Sequence, residues 1–349
     1  MVVLGIDAHK RNHTAVAVDE AGRKLGERTT GATTADHLQL LCWAEQFGDA
    51  RSWAVEDCRH LSRRLERDLL GAGEQIVRVP PKMMAQARDG ARTYGKSDPI
   101  DALAVARAAL REPNLPVASL DGPAREVRLL ADHRDDLVAE RTRAINRLRW
   151  HLHELDPAWA PPARSLWRPK HLKAILQHLT GEGGTVARLT RGLVERCRLL
   201  TDEILELDSE LERLVRKQAP ALLEICGCAT LSAAKILGET ADVRRFRSRH
   251  AYARHNGTAP LPVWSGNNER HRLSRTGNRQ INAAIHRIAI TQAHYHPEAK
   301  SYLERRRAAG DNKAESIRAL KRRLSDVVFK ALMTDAEKSS RTPASSVAA

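Results

Sequence analysis

Residues 2–7 read Val-Val-Leu-Gly-Ile-Asp, an apolar run that stops at a carboxylate. So short a run, bounded by polar residues, fits a strand covered on both faces. Residues 13–30 continue as two more strands joined by a turn at 19–22, Asp-Glu-Ala-Gly. Residues 35–47 have helical period, with Leu38, Leu41, Trp43 and Ala44 on one side. Residues 51–57, Arg-Ser-Trp-Ala-Val-Glu-Asp, form another strand that ends in acid. A helix at 61–71, a strand at 74–81 stopped by prolines, and a helix over about 99–111 complete the region.

The resulting order, β-β-β-α-β-α-β-α, is that of RNase H-like α/β folds. Ligands of open α/β sheets gather at the carboxyl ends of strands, which is where Asp7 and Glu56 stand. Either acid alone reads as a chain leaving the core at a turn. Two neighbouring strands that both end in acid are different, because clustered carboxylates repel and need a cation or a proton. Asp98 and Asp101 suit a helix N-terminus, with Asp98 as N-cap, Pro99 at N1 and an acid at N3. Residues three apart also share a helix face, so both carboxylates can converge on one ion. Oxygen donors in this number suit Mg2+, with Mn2+ as a substitute, and a pair of such ions clamps the attacking and leaving oxygens of phosphoryl transfer.

The surrounding chain is basic. Its 349 residues carry a formal net charge of +15, and bidentate arginine contacts to phosphate account for that composition well. Aromatic residues are only 4%, which leaves little surface for base stacking. The run of about 18 apolar residues that spans a bilayer is missing, and residue 2 enters a strand directly, so a cytoplasmic location is expected. Five cysteines without paired spacing argue against a disulfide framework or a structural zinc.

Residues 111–123 contain three prolines and mark a boundary. Beyond it, 124–156 and 184–217 read as long helices. In the second, Leu193, Cys197, Leu200, Ile204, Leu207, Leu211 and Leu214 alternate by four and three, a coiled-coil seam that favours self-association, with an intramolecular hairpin as the alternative. The region after Pro220 is mainly helical, with loops at 227, 256–262 and 265–268 and a basic helix over 304–323. The expected domains are 1–115, 124–217 and 218–335, with a disordered tail at 336–349.

Three motifs are weighed down by context. Residues 90–97, Gly-Ala-Arg-Thr-Tyr-Gly-Lys-Ser, match the P-loop pattern, but no apolar strand precedes them and two acids follow. Lys96 then reads as a phosphate contact beside the acids. His294 and His296 have no acid or cysteine to complete a metal set, and Cys226 and Cys228 read as a tight apolar turn. Ser265, in Trp-Ser-Gly-Asn-Asn, reads by composition as a turn serine. As a nucleophile on phosphate it would need cationic stabilisation, which Arg270, Arg272 and Arg275 can supply, and a proton acceptor.

With Gly-Ile-Asp-Ala-His-Lys (5–10), Glu56, Gly-Lys-Ser-Asp-Pro-Ile-Asp-Ala (95–102), Gly-Thr-Ala-Pro (257–260), Ser265-Gly266 and Leu-Ser-Arg-Thr-Gly-Asn (273–278) in this order, the chain resembles DEDD-type insertion-sequence transposases of the IS110 family over about 1–335. The resemblance implies a RuvC-like N-terminal domain, a helical coiled-coil linker and a mainly α transposase domain. It implies Mg2+ at Asp7, Glu56, Asp98 and Asp101, and a phosphoserine–DNA intermediate at Ser265. It further implies donor and target DNA and a noncoding bridge RNA as partners, in a homo-oligomer, a dimer or a tetramer made of dimers. Lys10, Lys96, Arg270, Arg272, Arg275 and Asn278 are the candidate nucleic-acid contacts. Guide pairing would read sequence while the protein reads backbone and shape. The chain departs from the family where Asp57-Cys58-Arg59 follow Glu56, and where Ala229 replaces a turn glycine. A metal-only RuvC-like endonuclease or junction resolvase is the alternative that the acids fit equally; a binding protein without catalysis is a third.

Overall fold

The computed structural model describes residues 1–341 except 57–58, 81–82, 84–96, 113–114, 116, 119–121, 266–267 and 273–276, and leaves out the side chains of 59–60, 265, 268–272 and 341. The chain divides into two compact units, Met1–Asp121 and Gly122–Ala349.

The first unit is built on five strands: β1 (Val2–Ala8), β2 (Asn12–Val18), β3 (Lys24–Gly31), β4 (Arg51–Glu56) and β5 (Ile76–Val79). They lie in the order β3-β2-β1-β4-β5. β1 and β3 run antiparallel to β2, and β4 runs parallel to β1 and β5. Alternation along β1 sends Leu4, Ile6 and Ala8 to one face, where they pack with Leu40, Leu41 and Ala44 of α1 (Thr34–Glu45) and Leu65 and Leu69 of α2 (Arg59–Gly71). Val3, with Ala54 and Val79, faces the other way, onto Ala102, Val105 and Ala106 of α3 (Asp98–Arg111). Both faces of the central strand are therefore covered, as its continuous apolar sequence requires. Gly5 sits at the closest approach: a Cβ there would lie 2.2 Å from the Ala102 carbonyl oxygen and 2.5 Å from the Ala106 nitrogen.

The buried face of α1 differs from the one its leucines suggested. Thr33 and Asp36 form a capping box, with Asp36 N donating to Thr33 Oγ1 at 3.2 Å and Thr33 N to Asp36 Oδ2 at 3.0 Å. The rotation this fixes turns His37 inward, where its Nδ1 meets Asp68 at 2.7 Å, and leaves Leu38 exposed.

In the second unit α4 (Ala124–Leu155) and α6 (Gly184–Gln218) pack antiparallel, with α5 (Pro169–His178) against them. Arg134 Nε donates to Asp208 at 2.8 Å, and Arg196 Nη2 to Glu140 at 2.7 Å. The heptad seam is filled from within the chain: Leu200 and Ile204 pack on Leu137, and Val194 and Cys197 on Leu148 and Leu152. A hairpin is what the seam forms here.

The unit continues with α7 (Pro220–Leu223), α8 (Thr230–Thr240), α9 (Arg249–His255), β6 (Leu261–Ser265), β7 (Asn268–Arg272), α10 (Arg279–Tyr295), α11 (Pro297–Ala308) and α12 (Lys313–Arg341). Leu211, Leu214 and Val215 of α6 share one core with residues from α7 to α12. Three elements depart from expectation. The stretch expected as loops around Ser265 is a two-stranded ribbon, hidden in the sequence because Pro262 and five polar residues in β7 suppress the apolar alternation. The basic helix expected at 304–323 is two helices, because Gly310 takes φ +96 and Asn312 caps α12 in a reciprocal pair with Glu315. α12 also runs on to Arg341, past the expected start of the tail, and 342–349 lie outside the described residues.

Candidate active site

Strand register brings the first acids together. Val3, Gly5 and Asp7 alternate onto the face that α3 covers. Since Gly5 touches Ala102, moving two residues up the strand and one turn back along the helix arrives at Asp7 and Asp98 together. β4 pairs in parallel, with Val55 beside Ile6, so Glu56 is the next position along, one strand spacing (about 4.8 Å) from Asp7's line. Ala54 and Val79, the latter paired with Glu56, belong to the α3 face, which puts Glu56 on the side of Asp7. Asp57 lies outside the described residues.

The side chains converge accordingly. Asp7, His9 and Asp98 offer ligand atoms that all lie within 4.8 Å of one another. His9 Nε2 is 3.1 Å from Asp7 Oδ2 and 3.4 Å from Asp98 Oδ1. Asp7 and Asp101 are both buried, at 7% exposure. Burial raises the Asp7 pKa, the charges of Asp101 and Asp98 raise it further, and His9 opposes them. The expected N-cap role for Asp98 gives way to a helix that starts one residue earlier, with Ser97 as cap. The Asp98 carboxylate faces His9 and Asp7 instead. Carboxylate oxygens gathered this closely, with Asp7 buried and Asp98 half-exposed, fit a hard divalent cation such as Mg2+ or Mn2+. The imidazole of His9 is a softer donor, better suited to hydrogen-bond the two aspartates than to ligate Mg2+. His9 was not assigned from the sequence; its signal is the two-residue spacing from Asp7 within Gly-Ile-Asp-Ala-His-Lys. Lys10 follows it in the exposed turn after β1.

Ser265 ends β6 and pairs with Asn268, while Val263 pairs with Arg270 and Leu261 with Arg272. Arg270 and Arg272 are thus brought onto the strand beside that of Ser265; Arg275 and Lys96 lie outside the described residues. The ribbon's two ends are fixed to one place. Asn256 Oδ1 accepts from Thr258 N at 3.1 Å, and Asn278 N donates to the His255 carbonyl at 2.6 Å. Gly277, at φ +95, lies so near Gly257 that a Cβ would be 2.6 Å from its nitrogen. Asn278 caps α10 through Ile281 N at 3.0 Å and donates to Glu239, so its amide is engaged within the fold.

The remaining motifs fall into place. Gly227 carries the left-handed φ of +84 at the cysteine turn, while Ala229 is extended at φ −81, so the alanine there is unstrained. Cys228 is buried and its thiol pKa is pushed up to about 12 by desolvation; Cys226 is exposed. His296 caps α11.

Two family models match the chain: a DEDD-type IS110 transposase over residues 4–157 and the transposase IS116/IS110/IS902 family over 219–304. The chain is 27% identical to the insertion element IS116 uncharacterized 44.8 kDa protein of Streptomyces clavuligerus, over 93% of each. It is 25% identical to the insertion element IS900 uncharacterized 42 kDa protein of Mycobacterium paratuberculosis, over 93% of this chain and 94% of that one. Among solved structures it is similar to Thermus thermophilus RuvC, at 18% identity and a TM-score of 0.27 over 34% of this chain and all of that one. RuvC bound to a Holliday junction substrate is similar at 19% identity and a TM-score of 0.25, over 32% of this chain and 94% of that one. With an RNase H-like strand order in its first unit and the two transposase models matched in turn along the chain, over 4–157 and 219–304, the chain belongs to the IS116/IS110/IS902 family of insertion-sequence transposases.

Proposed function

We propose that this transposase cuts and exchanges DNA strands by transesterification at Ser265, with a divalent metal, Mg2+ or Mn2+, held by Asp7, Asp98, Asp101 and Glu56. The observation that carries the reading is the convergence of Asp7, His9 and Asp98 at the carboxyl end of β1, with Asp101 buried beside them. When bound, the metal would supply charge neutralisation and activation of the reacting oxygens. Asp7 and Asp98 would hold it, and His9 would orient their carboxylates. The Ser265 Oγ–phosphorus bond forms as one phosphodiester P–O bond breaks. The serine's proton ends on the departing sugar oxygen, and the ester energy is kept without ATP. Arg270, Arg272 and Arg275 would stabilise the phosphorane.

Donor and target DNA are the substrates, and a bridge RNA is the guide. A net charge of +15 supports a polyanionic partner. The far end of the α4–α6 hairpin adds a stacking surface. Trp150, 74% exposed, and Trp167, with Arg168 packed over its ring at 4.9 Å, stand next in sequence to leucines of one small core, Leu148 two residues before the first and Leu166 directly before the second. Arg143, Arg147, Arg149, Lys170 and Lys173 surround them in sequence. Unpaired bases stack on such a surface. Assembly into a homo-oligomer, a dimer or a tetramer, would bring the acids of one copy to the serine of another.

The test is a covalent-adduct trap. Full-length protein with its RNA meets labelled element-end DNA and Mg2+, and is then denatured in SDS. The expected adduct disappears with Ser265→Ala and with chelation, and falls at least roughly a hundredfold with Asp7→Asn. Cleaved DNA without an adduct would instead establish the metal-only nuclease.

A further inference from the structure

Of the two buried lysines among the described residues of the C-terminal unit, Lys235 has carboxylate partners and Lys321 has none. Lys235 meets Asp132 at 2.7 Å and Asp135 at 2.9 Å. Glu239 meets Arg128 at 3.3 Å, and Asp335 accepts from Ala221 N at 3.1 Å. Lys321 of α12 is 7% exposed, and among the described residues it meets no carboxylate. Its ammonium donates to Asn282 Oδ1 at 2.6 Å. A buried cation without an anion is unfavourable, and is relieved by loss of its proton or by an anion that arrives from outside.

The surroundings are built rather than accidental. On α10, Arg279, Asn282 and His286 recur at helical spacing along one side; on α12, Arg318, Lys321 and Ser325 do the same. The Lys321–Asn282 bond joins the two sides. Asn282 Nδ2 then donates to the Asn256 carbonyl at 2.8 Å, and Asn256 Nδ2 to Ser325 Oγ at 2.8 Å. Burial, then the charges of Arg279 and Arg318, lowers the Lys321 pKa to about 8. Burial and the charge of Lys321 lower that of His286 in turn. Among the described residues Arg318 has one long ion pair, to Glu315 at 3.8 Å. Asn256 is also the residue that fixes the start of the Ser265 ribbon, through Thr258.

We propose that Lys321, Arg279 and Arg318 form a phosphate site at the base of that ribbon, occupied by one backbone phosphate of the DNA on which Ser265 acts. A phosphate supplies the missing anion and enough acceptor oxygens for an ammonium and two guanidinium groups. Held there, the backbone would enter the ribbon in fixed register, which makes Lys321 a positioning residue. The inference rests on the serine reading for its substrate, but its test requires no strand cleavage.

The probes are inorganic phosphate and a short element-end duplex, with the full chain. Phosphate should raise the Tm of the wild-type protein above that in chloride of equal ionic strength, and Lys321→Met should abolish the increment. Lys321→Met should also weaken duplex binding on the order of tenfold and lower the slope of log K against log salt by about 1. Arg279→Gln, an exposed change at the same site, should lower that slope similarly without unfolding the core. An unchanged phosphate increment in Lys321→Met overturns the anion site. A lost increment with unchanged duplex binding assigns the site to free phosphate and overturns the DNA assignment. Loss of the Ser265 adduct is scored separately, so the two readings fail independently.

Discussion

Gly5 sets how near α3 comes to β1, and so where Asp98 stands relative to Asp7. Gly5→Ala forces a Cβ into the Ala102 backbone. It should destabilise the protein by about 1–3 kcal/mol, read as a lower urea midpoint, and weaken Mn2+ binding measured by calorimetry. Lys321 gives a pH signature of its own. Its folded pKa is near 8 against an ordinary value of 10.5, so the folded state disfavours the proton. Stability from this group is therefore lowest below about pH 8 and is gained as pH rises from there toward 10.5. The difference in Tm between Lys321→Met and wild type should be largest near pH 7 and shrink above pH 8; a constant difference would refute it. At this scale the places of Asp7 and Glu56 near strand ends, and of Asp98 and Asp101 in a helix's first turn, were legible because strand ends and helix starts announce themselves in sequence. His9 and Lys321 were not, because their meaning lies in neighbours brought from elsewhere: Asp98 to one, Asn282 to the other.

Among elements, helices and parallel strands were legible where one period ran without interruption. The heptads of α6 marked a packed seam, but nothing in a period says whether the opposing helix belongs to the same chain. Here it does, with Ile204 fully packed against α4. Ile204→Ala should cost about 2–5 kcal/mol in thermal or urea unfolding. A change confined to the concentration dependence of Tm would mean that the residue packs against another copy instead. The ribbon of β6 and β7 escaped the sequence because β7 is wholly polar and β6 carries a proline, so register and not alternation defines them. The break at Gly310 was written in the sequence as Gly-Asp-Asn with Glu315 following, a stop and a start that the surrounding arginines obscure.

The whole molecule is a sheet-based unit through Asp121 followed by a mainly helical one, two units where the sequence suggested three domains. The formal net charge of +15 lies in the second unit, since residues 1–121 hold as many Asp and Glu as Lys and Arg. Two of the exposed tryptophans, Trp150 and Trp167, stand near arginines in the hairpin region. Trp150→Ala with Trp167→Ala should weaken binding of guide RNA roughly tenfold or more, at about 1–3 kcal/mol per stacked base, and leave duplex DNA binding unchanged in a gel-shift titration. Equal loss for both would mean that the end is a general polyanion surface. The ribbon that carries Ser265 leaves and rejoins its framework between Gly257 and Gly277, two positions already in contact. A segment with touching ends can be lengthened, shortened or exchanged with little strain on the helices that hold it. It is thus a natural unit of transplantation: a chimera that swaps 258–276 would keep its scaffold while trading the tip that carries Ser265.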